Sequence, residues 1–351
     1  MKYWIVQILL GFLLAAVLAE LGLRLLPVST GYGVGAVNSA DPVARGTPLL
    51  RYVYSRDWSF HLANSGTLNN FGFRSSSDYL PDPRALVVVG NSYVQADALD
   101  PRDTLTERLG SILHRPAYAV GADGFSLADY LVASRWAGDT FGAGMVVVLL
   151  TNGDLSHSCR PSSGKHYLQY AHGAITLSLA ERAAPSAAKA LLNDSRLFRY
   201  LFDNLQVAAN WHRSWTRNDD EPPDSGSMTS KRGCANAPFE EAATQFLLSA
   251  FRSFADTHRA QVVFVVAPGY RREQQIAAGG WRDIDTFALQ AERAGFPVMR
   301  MDSAFTHARD SGVRLDFLPI DGHWSAAANA IAAQAAADGI SRLQIHNDDR
   351  R

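Results

Sequence analysis

Val87-Val88-Val89-Gly90-Asn91-Ser92 is a run of three β-branched residues that halts at a glycine and then presents a serine. Valine is stiff at χ1 and suits an extended backbone, and three in a row without polar alternation read as a strand covered on both faces. Met145-Val146-Val147-Val148-Leu149-Leu150 repeats the pattern. Around these two runs, helical spacing at 104–113 and 127–136 brackets a short strand at 117–120. A helix at 239–257, a strand at 261–267, a helix at 284–294, a strand at 297–301 and a closing helix at 325–340 continue the rhythm. Strands that are apolar throughout, alternating with helices, predict an α/β fold: a three-layer αβα sandwich on a mainly parallel, flavodoxin-like five-stranded sheet.

The chain has 351 residues, 47% hydrophobic and 19% charged, which is a globular balance. Its net charge of -1, without a basic stripe, argues against nucleic acid as a partner. Residues 1–27 differ in texture. Residues 4–19 are almost wholly apolar, behind Lys2 and ahead of Glu20 and Arg24. Counted to Leu26, the stretch is roughly 23 residues, or about 34 Å of helix, against a hydrocarbon core of about 30 Å. It reads as a single-pass membrane anchor, although Val17-Leu18-Ala19 also offers the small-residue cleavage site of a signal segment. Lys2 on the short side predicts a cytoplasmic N-terminus and an extracytoplasmic, periplasmic domain.

Residues 28–80 lack a long periodic run and read as a linker and packed lead-in. The α/β domain spans 81–345, with a helical insertion at about 160–237 containing helices over 177–192 and 197–211, and 346–351 form a polar tail. Cys159 and Cys234, the two cysteines, bracket the insertion and in an exported protein are expected to form one disulfide.

Ser92 would stand at the carboxyl end of its strand, where open α/β sheets place ligands. A serine alcohol is a weak nucleophile near neutrality, so acyl transfer needs a base to take its proton and a carboxylate to hold the base. Asp321-Gly322-His323 supplies both before the last helix, from what reads as an irregular loop. Gly121-Ala122-Asp123-Gly124 follows the second strand and Thr151-Asn152-Gly153-Asp154 the third, so all four segments fall at one sheet edge. Tyr93 and Trp324, beside the nucleophile and the base, are candidate substrate contacts. His157, the histidine near the third of these segments, lacks the clustered partners of a metal site, and no metal or cofactor is expected.

In this order the four segments resemble the four blocks of the SGNH hydrolases, also called GDSL-like esterases. The resemblance runs from about residue 69 to 333, omitting the insertion. Asn69-Asn70-Phe71-Gly72-Phe73-Arg74 looks like a segment common in membrane-anchored members of the family. The resemblance implies that Ser92 is the nucleophile, His323 the general base and Asp321 its orienting carboxylate. The Ser92 and Gly124 amides and the Asn152 side chain would form the oxyanion hole. Three departures stand out: Asn91 replaces the usual aspartate, the terminal block is Asp-x-His instead of Asp-x-x-His, and the third block lacks a contiguous Asn-Asp pair. That third block can be registered on Asn152, which keeps the oxyanion donor, or on Asp154, which puts glycine in its place. The implied activity is that of an esterase or O-acyltransferase working on O-acyl groups, O-acetyl above all, of a cell-surface glycan. A transferase would need a multi-span membrane partner to bring the acyl donor across. The competing expectation is a non-catalytic binding or assembly protein of the cell envelope that retains the fold.

Overall fold

The computed structural model describes residues 2–171, 174–207, 237–268 and 282–348. Helix α1 (Lys2–Leu23) precedes an antiparallel hairpin of β1 (Arg51–Arg56) and β2 (Leu62–Thr67). Then come β3 (Leu86–Gly90), the single turn α2 (Ser92–Gln95), α3 (Leu105–Leu113), β4 (Ala117–Gly121), α4 (Leu127–Phe141), β5 (Met145–Leu150) and the short α5 (Asp154–His157). A second hairpin, β6 (Lys165–Ala171) and β7 (Ala174–Ala180), leads to α6 (Ala187–Asp194) and α7 (Arg196–Arg199), whose chain continues as a π turn over Tyr200–Asn204. The last group is α8 (Ala237–His258), β8 (Gln261–Val266), α9 (Arg282–Arg293), β9 (Val298–Arg300), α10 (Asp302–Asp310), β10 (Asp316–Phe317), β11 (Asp321–Trp324) and α11 (Ala326–Asp348).

The central sheet runs β4-β3-β5-β8-β9, parallel at every pairing, which is the expected flavodoxin-like order. Side chains alternate across a strand. Val87, Val89, Val146 and Val148 therefore face one layer, packed with residues of α4, α8 and α9. Leu86, Val88, Val147 and Leu149 face the other, packed with α3, α10 and α11. The absence of polar alternation in the valine runs thus has a direct cause: both faces of each strand are core.

Where the expectation fails, local pattern explains it. Residues 177–180, expected to open a helix, lie in β7. Ile175, Leu177 and Leu179 alternate with Thr176 and Ser178, and the three apolar side chains pack on the core at period two. The insertion therefore begins as a β-hairpin and becomes helical only from Ala187; part of the second expected helix, and the segment up to residue 236, lie outside the described residues. Helix α10 was not expected from the sequence. The lead-in is packed from its start, with Val28 and Val37 each 1% exposed.

Helix α1 holds an apolar span, Tyr3–Leu23, of mean hydropathy 2.3 with none of it buried against the protein, and it is long and apolar enough to cross a membrane. Its last full turn is tied to the domain. The Glu20 carboxylate accepts from Ser195 Oγ (2.9 Å), Arg196 N (3.1 Å) and Leu197 N (2.8 Å), satisfying the free amides that open α7.

Candidate active site

Parallel strands deliver their carboxyl ends to one edge, and there β3 hands the chain directly to α2. A Cβ on Gly90 would stand 2.4 Å from Val94 Cγ2, so only glycine lets the helix fold back at once. Asn91 caps α2, its Oδ1 accepting from Tyr93 N at 3.1 Å. Ser92 is then the first helical residue. The turn after α2 is held by Arg74, whose buried guanidinium donates to the carbonyls of Gln95 (2.7 Å), Ala96 and Leu99 and to Tyr52 Oη (3.0 Å).

Asp321 and His323 lie on β11, where an irregular loop was expected. Short as it is, β11 pairs with β10 across a register shift. The strand explains the Asp-x-His spacing, because residues two apart on an extended chain project to the same side. His323 Nδ1 is 2.5 Å from Asp321 Oδ1, which also accepts from the His323 amide at 2.8 Å. Nε2, the other ring nitrogen, is 2.8 Å from Ser92 Oγ. Asp321 is buried, and its second oxygen accepts from the Tyr54 hydroxyl at 2.6 Å. Arg56 Nε donates to that hydroxyl at 3.0 Å. Five side chains, from the lead-in, the turn after β3 and the terminal hairpin, therefore form one hydrogen-bonded line.

Burial opposes charge on both members of the acid-base pair. On His323 that penalty is outweighed by the hydrogen bond and charge of Asp321, with Asp97 and Asp123 adding, so the imidazole pKa lies above its ordinary value. On Asp321 it is outweighed by His323 and by the Tyr54 hydrogen bond, so the carboxyl lies well below the usual range.

Among the described residues, no hydrogen bond uses the N–H of Ser92 or of Gly124, which takes a left-handed φ of 68° in the turn after β4. Asn152, just beyond β5, is half-buried, and its Oδ1 is buried without a hydrogen-bond partner. Asp154 is committed elsewhere. Its carboxylate accepts from Thr151 N (2.6 Å), Thr151 Oγ1 (2.9 Å) and Asn91 Nδ2 (3.3 Å), while Asn91 Nδ2 also reaches Thr151 Oγ1 at 2.6 Å. Asn91 thus ties the turn that carries Ser92 to the Thr151–Asp154 segment. An acidic residue there would face the Asp154 carboxylate.

The half-buried Tyr93 ring lies with its centroid 5.1 Å from that of His323, tilted by 54°. Trp324, a candidate substrate contact by sequence, is instead core: it is 4% exposed and packs on Tyr93 and Phe305, because β11 turns it to the side opposite His323. Cys159 is disulfide-bonded, and Cys234 lies outside the described residues. Sequence reading missed Tyr54 and Arg56. Arg74 alone left a trace, inside the Asn69–Arg74 segment.

No protein-family model matches the chain, and no curated protein does. Solved structures similar to it include a G-D-S-L family lipolytic protein of Veillonella parvula, at 8% identity and TM-score 0.38 over 74% of this chain and 98% of that one. A Lake Arreo metagenome α/β hydrolase gives 14% and 0.41 over 74% and 96%. A catalytic mutant of an acetylxylan esterase from Geobacillus stearothermophilus gives 11% and 0.39 over 74% and 95%. At such values the likeness carries no functional argument.

In Asn91→Asp a half-buried carboxylate meets the buried Asp154 carboxylate, so the pair holds a proton at a pH where the unfolded chain, with Asp pKa near 3.9, has lost it. A folded-state pKa raised in this way leaves stability intact below about pH 4 and removes it as pH rises. Relative to the unmodified chain, the variant should lose about 1–3 kcal/mol at pH 8 and much less at pH 4. Urea unfolding at both pH values measures the difference; equal losses would mean that charge repulsion is not the cause.

Proposed function

We propose that this chain is a serine esterase or O-acyltransferase of the SGNH, GDSL-like, type. The observation that carries the reading is the continuous line Ser92 Oγ, His323 Nε2, His323 Nδ1, Asp321 Oδ1, with both steps at hydrogen-bond length. His323 takes the Ser92 proton as Oγ attacks the acyl carbonyl, and the carbonyl electron pair moves onto oxygen. Ser92 N, Gly124 N and the Asn152 amide are the donors assigned to that oxyanion, the first two having no other partner among the described residues. Collapse expels the substrate alkoxide, which takes the proton from imidazolium and leaves an acyl-serine. Water or a sugar hydroxyl then repeats the cycle in reverse roles. Asp321 stays ionised and supports the imidazolium throughout.

The substrate we assign is an O-acyl, foremost O-acetyl, ester on a cell-surface glycan, with the domain on the extracytoplasmic, periplasmic side of a membrane spanned by α1. Support for the location is the apolar span behind Lys2. The transferase branch requires a multi-span membrane partner, because one apolar helix forms no channel for a donor. The alternative of a non-catalytic binding protein has less support, since Asn91 is integrated into the site by three hydrogen bonds.

Purified full-length chain in detergent is expected to hydrolyse p-nitrophenyl acetate, and Ser92→Ala to lower kcat by about 10⁴-fold or more. Matching rates for the two proteins would end the catalytic reading. The pH profile carries an independent expectation. Catalysis needs neutral imidazole, so kcat/KM should rise with pH through an inflection above the ordinary histidine value of about 6.5. Asp321→Asn removes the group that raises it, moving the inflection downward and reducing kcat by about 10³–10⁴-fold. An inflection that stays in place would exclude His323 as the titrating base.

A further inference from the structure

Beside the nucleophile turn lies a cavity of about 260 Å³ whose lining includes Arg45, Arg74, Lys165, Arg182, Asp123 and Gln95. Four cations against one carboxylate is an unusual wall, so the partners of each decide what it means. Arg45 is 2.5 Å from Asp41, and Arg74 is spent on three carbonyls and Tyr52, with Asp97 at 3.9 Å. Lys165 and Arg182 are different. Neither has a carboxylate within ion-pair distance among the described residues. The Lys165 ammonium donates to the Asp123 carbonyl and lies 4.6 Å from the centroid of the Phe125 ring, which leaves N–H donors unspent. The Arg182 guanidinium, half-buried, makes no hydrogen bond among the described residues and keeps all five donors. Burial depresses the Lys165 pKa despite the Asp129 and Asp123 carboxylates, and the Arg182 charge adds to the depression.

The placement ties this cavity to the proposed chemistry. Gln95 closes the turn that Ser92 opens, about 4.5 Å along the helix axis. Its Oε1 accepts from Asp123 N at 2.5 Å, fixing the loop that carries Gly124. Lys165 stands on the far side of that loop, 3.7 Å from where a Gly124 Cβ would be. A group held by Lys165 therefore lies against the loop that carries Gly124, one of the two backbone amides assigned to the oxyanion. The cavity is smaller than the roughly 300–1,000 Å³ typical of sites that enclose a whole drug-sized ligand, which suits one charged substituent of a longer molecule.

We infer that this cavity binds an anionic substituent, carboxylate or phosphate, so that the acylated substrate is an acidic glycan. The identity of the ligand as substrate rests on the acyl-transfer reading; the anion site itself does not. Arginine offers a planar fork for either oxyanion and lysine a point charge.

The test is calorimetric titration of full-length Ser92→Ala protein in detergent at low salt. The probes are methyl glucuronoside, methyl phosphate and, as a neutral control, methyl glucoside. At least one anionic probe should bind ten-fold or more tighter than methyl glucoside, and the tighter of the two identifies the source of the charge. Arg182→Gln and Lys165→Met should each weaken that probe about ten-fold, whereas Arg182→Lys, which keeps the charge, should retain most of the affinity and controls for folding. Equal affinity for charged and neutral probes, or unchanged binding in both charge-removing variants, would overturn the inference. Ester hydrolysis by the unmodified chain without anion binding would sink this inference alone. Anion binding by a chain that hydrolyses no ester would sink the proposed function alone.

Discussion

A buried carboxylate must be satisfied or it destabilises the fold, and Asp321 is satisfied from two distant parts of the chain. Its Oδ1 accepts from the amide and the imidazole of His323, and its Oδ2 from the Tyr54 hydroxyl. That constraint draws β1 of the lead-in onto β11 of the terminal hairpin. Arg74, from the same lead-in, grips the turn behind Ser92 through carbonyl oxygens. The lead-in is therefore part of the site and not a tether to it. Each side chain in the line is held from behind, the kind of preorganisation that the proposed acyl transfer would draw on.

The five-stranded sheet was legible because parallel strands buried on both faces have to be apolar at every position, and Val87–Val89 and Met145–Leu150 are. The positions of Ser92 and of the Asp321–His323 pair followed from which strand or helix each adjoins. What failed was decided by weaker or longer-range signals. In β7 an alternation of only three apolar residues was overshadowed by the alanine- and leucine-rich stretch that follows it. Helix α10 is nine residues with few apolar positions, and its burial comes down to Phe305 and Ala308. Tyr54 lies 267 residues from its partner Asp321, and nothing local marks it. Lys165 and Arg182 look like ordinary charges of an insertion until β6 and the chain after β7 bring them to one cavity.

Asn91 shows how a departure from a motif can be read. Seen alone, it removes a charge from the residue before the nucleophile. In the folded chain it donates to Thr151 and towards Asp154 while capping α2, so the acidic group belongs to the third block and the amide is its complement. This also frees Asn152 of competition, since Asp154 has no donor to offer and is fully engaged.

The central claim is that His323 and Asp321 make Ser92 a nucleophile. The most direct measurement is reaction of the full-length chain with a fluorophosphonate followed by peptide mass spectrometry. A single phosphonylated residue, Ser92, is expected, with labelling suppressed in His323→Ala. Label on another residue, or a Ser92 that stays unmodified while a known serine hydrolase reacts under the same conditions, would contradict it.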